Sequence, residues 1–179
     1  MELFAQIIGI AAMALAILSF QCKLQRTHIL MQILSCALFA LSFGMRGLVT
    51  GMILNLIATV RAVVYLYKQK LHADRPVWLI GFVVTYFVTY ALSFTVFGTE
   101  PTLLNFIIEL LPVIGMTASN LGLYKKDAKA VRLFGLISSP SWLVYNIVSL
   151  SIGAIICETF SIFSILIGIA RHDLKKKDA

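Results

Sequence analysis

GLVTGMILNLIATVRAVVYLY, residues 47–67, decides the fold class of this chain. A membrane-crossing α-helix needs about 20 predominantly apolar residues, which this run supplies. The run also carries Asn55 and Arg61, and a charged side chain at the centre of a membrane helix costs about 3 kcal/mol on insertion scales. Arg61 is therefore expected to face other helices, water or the nearer headgroups, so this helix needs neighbours within the chain.

The composition of the whole chain indicates an integral membrane protein. Of its 179 residues, 60% are hydrophobic and only 13% are charged, with a mean hydropathy of +0.93. These values lie far from those of soluble domains. The net charge of +7 comes from basic residues in short loops between apolar runs, which is typical of topology determinants next to lipid. Membrane lipids, and not nucleic acid, are the expected partners of these charges.

No sequence motif points to catalysis or to a cofactor. The three cysteines, Cys22, Cys36 and Cys157, have no metal-like spacing, and no P-loop, HExxH, GxSxG or dinucleotide fingerprint is present. We therefore expect a protein that is not an enzyme and that holds neither a metal nor a cofactor.

Seven apolar runs predict an all-α protein with seven transmembrane helices. Their predicted bounds are 3–20, 29–44, 47–67, 77–97, 102–121, 133–150 and 152–170. The first run lacks a basic segment before it and a convincing cleavage site after it, so we expect it to be retained. The sixth is the least apolar, because it contains Ser138, Ser139, Pro140 and Ser141.

The loop charges predict the orientation of these helices. Thirteen of the 15 basic residues fall on one side of the membrane: Lys23, Arg26, Lys68, Lys70, Arg75, Lys125, Lys126, Lys129, Arg132, Arg171, Lys175, Lys176 and Lys177. The opposite side has Arg46 alone. Because cytoplasmic loops are enriched in basic residues, the N-terminus is expected outside and the C-terminus in the cytoplasm.

The loop pattern of the first three helices recurs in the last three. An offset of 103 residues superimposes Ser35 on Ser138, Phe39 on Trp142 and Asn55 on Glu158. This pattern predicts two parallel three-helix bundles, residues 1–70 and 101–179, joined by a linker helix within 71–100 that restores the orientation of the second bundle.

Several segments resemble a known family. ELLPVIG at 109–115, WLVYNIVSLSIGAIICETF at 142–160, and ILN at 53–55 followed by Arg61 are similar to the YgjV-type bacterial inner-membrane proteins. The 3+1+3 helix plan resembles that of the SWEET, PQ-loop and PnuC-type transporters, although Phe20-Gln21 stands where the first Pro-Gln signature would lie. The resemblance implies a bacterial inner membrane location. It also implies that an aromatic residue on the second helix and a polar residue on the third helix of each bundle hold a substrate.

Polar and aromatic residues inside the apolar runs are the candidate ligand-binding groups. They are Phe39, Asn55, Arg61, Glu109, Trp142, Asn146 and Glu158. At 1.5 Å per residue, Asn55, Glu109 and Glu158 share one depth, about 10 to 12 Å below the outer surface. The alternative is structural: Arg61 forms an ion pair with Glu109 or Glu158, and Trp142 faces lipid.

These observations favour a transporter of a small polar molecule that is facilitative or driven by a gradient, with its site between the two bundles. The alternative is a membrane scaffold, or a module that binds a partner or lipid, without transport. Gly47 and Gly51 form a GxxxG pattern, which indicates one route to a homo-oligomer.

Overall fold

The computed structural model describes residues 2–19, 25–125 and 128–170, and their regular structure is helical throughout. The eight helices are α1 (Glu2–Ser19), α2 (Gln25–Met45), α3 (Val49–Leu66), α4 (Lys68–Leu71), α5 (Pro76–Thr95), α6 (Leu103–Lys125), α7 (Ala128–Val148) and α8 (Ile152–Ile169). Each of the seven long helices overlaps one predicted segment, with ends that differ by up to five residues. The short α4 lies in a predicted basic loop, because four residues are too few to give an apolar pattern.

Within the described ranges, five helices are long and apolar enough to cross a membrane: α1, α3, α5, α6 and α8. The apolar part of α2 is shorter, and α7 is not among the five. Both helices turn polar side chains into the protein interior, including Ser35 on α2 and Ser139 and Asn146 on α7, all of them buried. Their lower hydropathy therefore reflects what they face inside the protein.

The long helices form a closed ring. Neighbours along the chain pack together from α1 to α3 and from α5 to α8, α3 also packs against α5 and α6, and α1 packs against α8. The outward faces of these helices expose large apolar side chains, as at Phe4, Leu104 and Phe163. Apolar surface of this extent suits contact with lipid.

The contact between α1 and α8 depends on a glycine. A Cβ atom at Gly153 would lie 2.5 Å from the carbonyl carbon and oxygen of Gly9, so the two backbones approach too closely for any other residue. Small residues allow such close approach of membrane helices. Gly153 therefore fixes the line along which the first and last long helices meet.

Polar contacts close the same end of the ring. Arg46, in the turn after α2, donates from Nε to Glu2 Oε1 at 2.9 Å and also hydrogen bonds the Ser149 carbonyl through Nη2. Gln6 donates to the Leu150 carbonyl at 2.9 Å and accepts from the Ile152 N–H at 3.3 Å. We refer to Glu2, Gln6, Arg46 and the turn at 149–152 as the Arg46 cluster. It ties the start of α1 to the turn between α7 and α8.

Gly47 and Gly51 of the GxxxG pattern do not lie together on one face of a helix. Gly47 lies in the turn before α3 with a φ of +72°, a left-handed value that favours glycine. Gly51 is buried inside the chain, where an added Cβ would lie 3.1 Å from the Tyr145 hydroxyl. These two glycines therefore offer no common surface to a second copy of the chain.

Candidate functional site

A cavity of about 220 Å³ lies in the interior of the helical ring. Side chains from α1, α2, α3, α6, α7 and α8 line it. Six of the seven predicted ligand-binding residues are among them: Phe39, Asn55, Arg61, Trp142, Asn146 and Glu158. The structure thus brings together residues that are more than 100 positions apart in the sequence.

A second cavity of about 480 Å³ adjoins the first. The two share Gln32, Arg61 and the hydroxyls of four serines: Ser119, Ser138, Ser139 and Ser161. The lining of the larger cavity continues to Leu123, Arg132 and Gly168, close to the ends of α6 and α8 and the start of α7. The combined space therefore extends from the middle of the ring toward the ends that carry most of the basic residues.

Arg61 lies where the two cavities meet, with little of its hydrogen-bonding capacity used. Its Nη1 donates to the Tyr86 hydroxyl at 3.4 Å and to the Met116 carbonyl at 3.3 Å, both long bonds. Its Nε is buried and has no hydrogen-bond partner among the described residues. Neither ion pair considered for it forms within 4.0 Å, since the salt bridge found in the described part of the chain joins Arg46 and Glu2. The guanidinium is held in place but left with free donors.

Acceptor groups lie on other walls of the same cavity. Asn146 is only 1% exposed, and its Oδ1 has no hydrogen-bond partner within the described part of the chain. Asn55 donates its amide N–H to the Gly51 carbonyl at 2.9 Å. The Glu158 carboxylate lies near the Ser139 side chain, and both residues line the cavity. A buried amide oxygen without a hydrogen-bond partner costs free energy of folding. We therefore expect a water molecule or a ligand atom to donate a hydrogen bond to Asn146 Oδ1.

An aromatic chain crosses the interior beside these polar groups. Phe39 and Phe43 of α2 have ring centroids 6.4 Å apart, Phe43 and Tyr145 are 6.2 Å apart, and Trp142 meets Tyr145 edge-on at 5.8 Å. Trp142 is 9% exposed, so it packs inside the protein and does not face lipid as the structural alternative proposed. Gly115 makes room for its indole ring, because a Cβ there would lie 2.8 Å from the ring.

Residues separated by 103 positions occur together in the lining of the smaller cavity. Seven such pairs line it: Ala16 and Ser119, Ser35 and Ser138, Cys36 and Ser139, Phe39 and Trp142, Phe43 and Asn146, Asn55 and Glu158, Ala58 and Ser161. The sequence analysis named three of these pairs: Ser35 with Ser138, Phe39 with Trp142 and Asn55 with Glu158. Fourteen of the 19 lining residues thus belong to pairs with this separation.

Glu109 lies outside this cavity. It is in α6, where its carboxylate lies near Thr50 of α3 and its Oε2 is buried without a hydrogen-bond partner among the described residues. Thr50 also shares a 2.8 Å hydrogen bond with Ser93 of α5. The depth estimate places Glu109 level with Asn55 and Glu158 but gives no information about direction around the helix. Because its side chain points in a different direction around its helix, Glu109 does not line the cavity with the other six residues.

Sequence reasoning missed the serines of the lining and Gln32. Ser119 and Ser138 share a 2.6 Å hydrogen bond, and Gln32 donates to Ser19 at 2.8 Å, so these groups join α6 to α7 and α2 to α1. A signal was present in the offset of 103 residues, which pairs Ala58 with Ser161 and Cys36 with Ser139. Single serines in apolar helices give no such signal on their own.

The chain is similar to a known protein family. A model of the Imp-YgjV family, described as bacterial inner membrane protein, matches residues 3–176. The chain belongs to this family. No curated protein and no solved structure matches it. As an Imp-YgjV protein with several apolar helices, it is a protein of the bacterial inner membrane.

Proposed function

We propose that this Imp-YgjV protein is a facilitative or gradient-driven transporter of a small polar molecule, with its binding site in the cavity between two three-helix bundles. The bundles are α1–α3 and α6–α8, and α5 is the linker. All seven long helices cross the membrane, with the N-terminus outside and the C-terminus in the cytoplasm. No covalent chemistry is part of this proposal.

The helix contacts support the 3+1+3 plan. Within each bundle the middle helix packs against both others, α2 in the first and α7 in the second. Between bundles, α1 meets α8 and α3 meets α6. A two-fold rotation that exchanges α1 with α6, α2 with α7 and α3 with α8 also exchanges these two contacts. Two parallel repeats around an axis along the membrane normal have this symmetry.

One observation carries the functional proposal: Arg61 and Glu158 line the same cavity without pairing with each other. Charged groups inside membrane segments are costly, and such residues typically mark substrate or ion pathways. A protein that needed them only for packing would bring them together. Their separation, beside the unpartnered Asn146 oxygen, favours a cavity that is filled by water or a ligand.

The two ends of the ring support alternating access. The Arg46 cluster and the Gly153 contact hold the bundles together at the end with few basic residues. The larger cavity extends toward the opposite, basic end. We propose that this conformation is accessible from the cytoplasm and that rocking of the bundles, with rupture of the Arg46 cluster, exposes the site to the outside.

A ligand screen tests this function. The detergent-solubilised protein is melted with sugars, vitamins, nucleosides, amino acids and organic acids, in parallel with Trp142→Ala, Glu158→Gln and Glu109→Gln. A ligand at 100 times its Kd stabilises the folded state by about 2.7 kcal/mol. We expect a hit that is lost in Trp142→Ala and Glu158→Gln and kept in Glu109→Gln, because Glu109 lies outside the cavity.

The same screen can contradict the proposal. A hit that survives both Trp142→Ala and Glu158→Gln would place the ligand outside this cavity. If no compound shifts the wild-type melting temperature and Glu158→Gln itself raises it, the Glu158 carboxylate destabilises the fold and binds none of these ligands. The scaffold or partner-binding function would then be favoured.

A further inference from the structure

Two opposite charges face the inner cavity. Of the residues that line the 220 Å³ space, Arg61 and Glu158 are the charged ones, on α3 and α8 respectively. They are not within 4.0 Å of each other. The cavity therefore has a guanidinium on α3 and a carboxyl group on α8, with no direct pairing between them.

From this arrangement we infer that the ligand is a small zwitterion of the amino-acid type, bound with its carboxylate on Arg61 and its ammonium group on Glu158. The inference rests on the proposed function and names its substrate class. A zwitterion provides an opposite charge for each group at once. A ligand with a single charge leaves one protein charge unpaired in a low-dielectric space, and a neutral ligand leaves both protein charges unpaired.

The donors and acceptors of the cavity match such a ligand. Arg61 keeps Nε–H without a partner and uses only Nη1 in its long bonds to Tyr86 and Met116. A guanidinium with free N–H groups is suited to bidentate contact with a carboxylate. Lining residues on α7 and α8 supply acceptors for an ammonium group, which has three N–H donors: the Glu158 carboxylate and the unpartnered Oδ1 of buried Asn146.

The positions of the charges along the ring also suit a bridging ligand. Arg61 is six residues beyond Asn55 on α3, or about 9 Å at 1.5 Å per residue. Asn55 corresponds to Glu158 in the offset of 103 residues. The carboxylate is therefore deeper in the ring than Arg61, which lies where the smaller cavity joins the larger one. A ligand entering from the larger cavity meets Arg61 before it reaches Glu158.

Charge-capped compounds test the inference directly. Alanine, leucine, phenylalanine and 4-aminobutanoate are each compared with two derivatives: the amide, which keeps only the positive charge, and the N-acetyl form, which keeps only the negative charge. Binding is measured at pH 7 by calorimetric titration of the wild type, Arg61→Gln and Glu158→Gln. Arg75→Gln and Glu100→Gln are matched controls, since both remove an exposed charge outside the cavity.

We expect at least one skeleton to bind as the zwitterion at least tenfold more tightly than either derivative. In Arg61→Gln the affinity for the zwitterion should fall to that for its amide. In Glu158→Gln it should fall to that for its N-acetyl form. Neither control should change the Kd more than twofold. If a cavity variant does not fold, Arg61→Lys or Glu158→Asp replaces it; each keeps the charge and should retain the preference for the zwitterion.

Two results would overturn the inference. One is a capped derivative that binds as tightly as its zwitterion, and the other is the absence of binding by every zwitterion tested. If a sugar, nucleoside or other neutral compound binds instead and is lost in Trp142→Ala, the transporter proposal stands and only the substrate class is wrong. If no compound of any class binds and the cavity cysteines are unreactive from water, both proposals fail.

Discussion

The Arg46 cluster and the interior cavity use similar polar groups in opposite ways. In the cluster, Arg46 is paired with Glu2 and Gln6 bonds the turn between α7 and α8, so the polar groups hold helices together. In the cavity, Arg61 and Glu158 remain unpaired with each other, and Asn146 keeps an oxygen without a partner. Arg46 Nη1 is also buried without a partner, so the two regions differ in their ion pairing: Arg46 has a carboxylate partner and Arg61 has none within 4.0 Å among the described residues.

The largest expected effect is at the Gly9–Gly153 contact, which adjoins the cluster. Gly153→Ala places a Cβ 2.5 Å from the Gly9 backbone, so α1 and α8 must separate. We expect a loss of about 1–3 kcal/mol, typical of overpacking, measured as a lower melting temperature in detergent. The matched control is Gly81→Ala on α5, where a Cβ meets nothing within 4 Å and helix propensity should give a small gain. Equal melting temperatures for the two variants would show that the contact is not tight.

Two buried asparagines give the next largest contrast. Asn120 has its amide satisfied, because it accepts from Tyr65 at 3.2 Å and donates to the Leu79 carbonyl at 3.2 Å. Asn120→Ala should therefore cost about 1–3 kcal/mol. Asn146→Ala should cost clearly less, because its oxygen bonds no described residue, and should instead weaken ligand binding. Thermal melts with and without a ligand check both effects; a larger loss of stability for Asn146→Ala would assign it a structural role.

The smallest effect on stability is expected at Arg46. The Arg46 side chain is 8% exposed and that of its partner Glu2 65%, and ion pairs that water reaches contribute about 0–1 kcal/mol. Arg46→Gln should therefore lower the melting temperature only slightly. It should nevertheless increase the reactivity of cavity cysteines toward a reagent applied from outside, because the cluster ties the start of α1 to the turn between α7 and α8. Unchanged reactivity from outside would exclude the cluster as a barrier.

The sequence predicts the seven long helices to within about five residues at each end, and five of them have apolar runs of membrane length, which are a strong local signal. Six of the seven candidate residues line one cavity, and the offset that pairs Phe39 with Trp142 and Asn55 with Glu158 accounts for four of them. Depth along a helix can be read from residue spacing, but the direction of a side chain depends on which helices pack together. Glu109 shows this limit, because it has the predicted depth and faces Thr50 outside the cavity.

The Arg46 cluster shows a second limit of the sequence. Glu2 and Gln6 lie more than 140 positions from the 149–152 turn, and none of them is in a recognisable motif. Their contact results from the packing of α1 against α8, which depends on a pair of glycines that sequence spacing does not connect. Polar residues at helix ends are too common to predict such a contact.

Thiol labelling in membranes tests the central claim, a cavity that is reached by water from the basic end and closed at the other. Cys36 and Cys157 both line the smaller cavity, so each can be kept as the single cysteine after replacement of the other and of Cys22 by serine. A small membrane-impermeant methanethiosulfonate is applied to intact cells and to inverted vesicles. A variant without cysteine and a single cysteine at Val84, on the exposed face of α5, are the controls. We predict faster labelling of both cavity cysteines in inverted vesicles than in cells, and no labelling at position 84; cavity cysteines that stay as unreactive as position 84 from both sides would contradict the account.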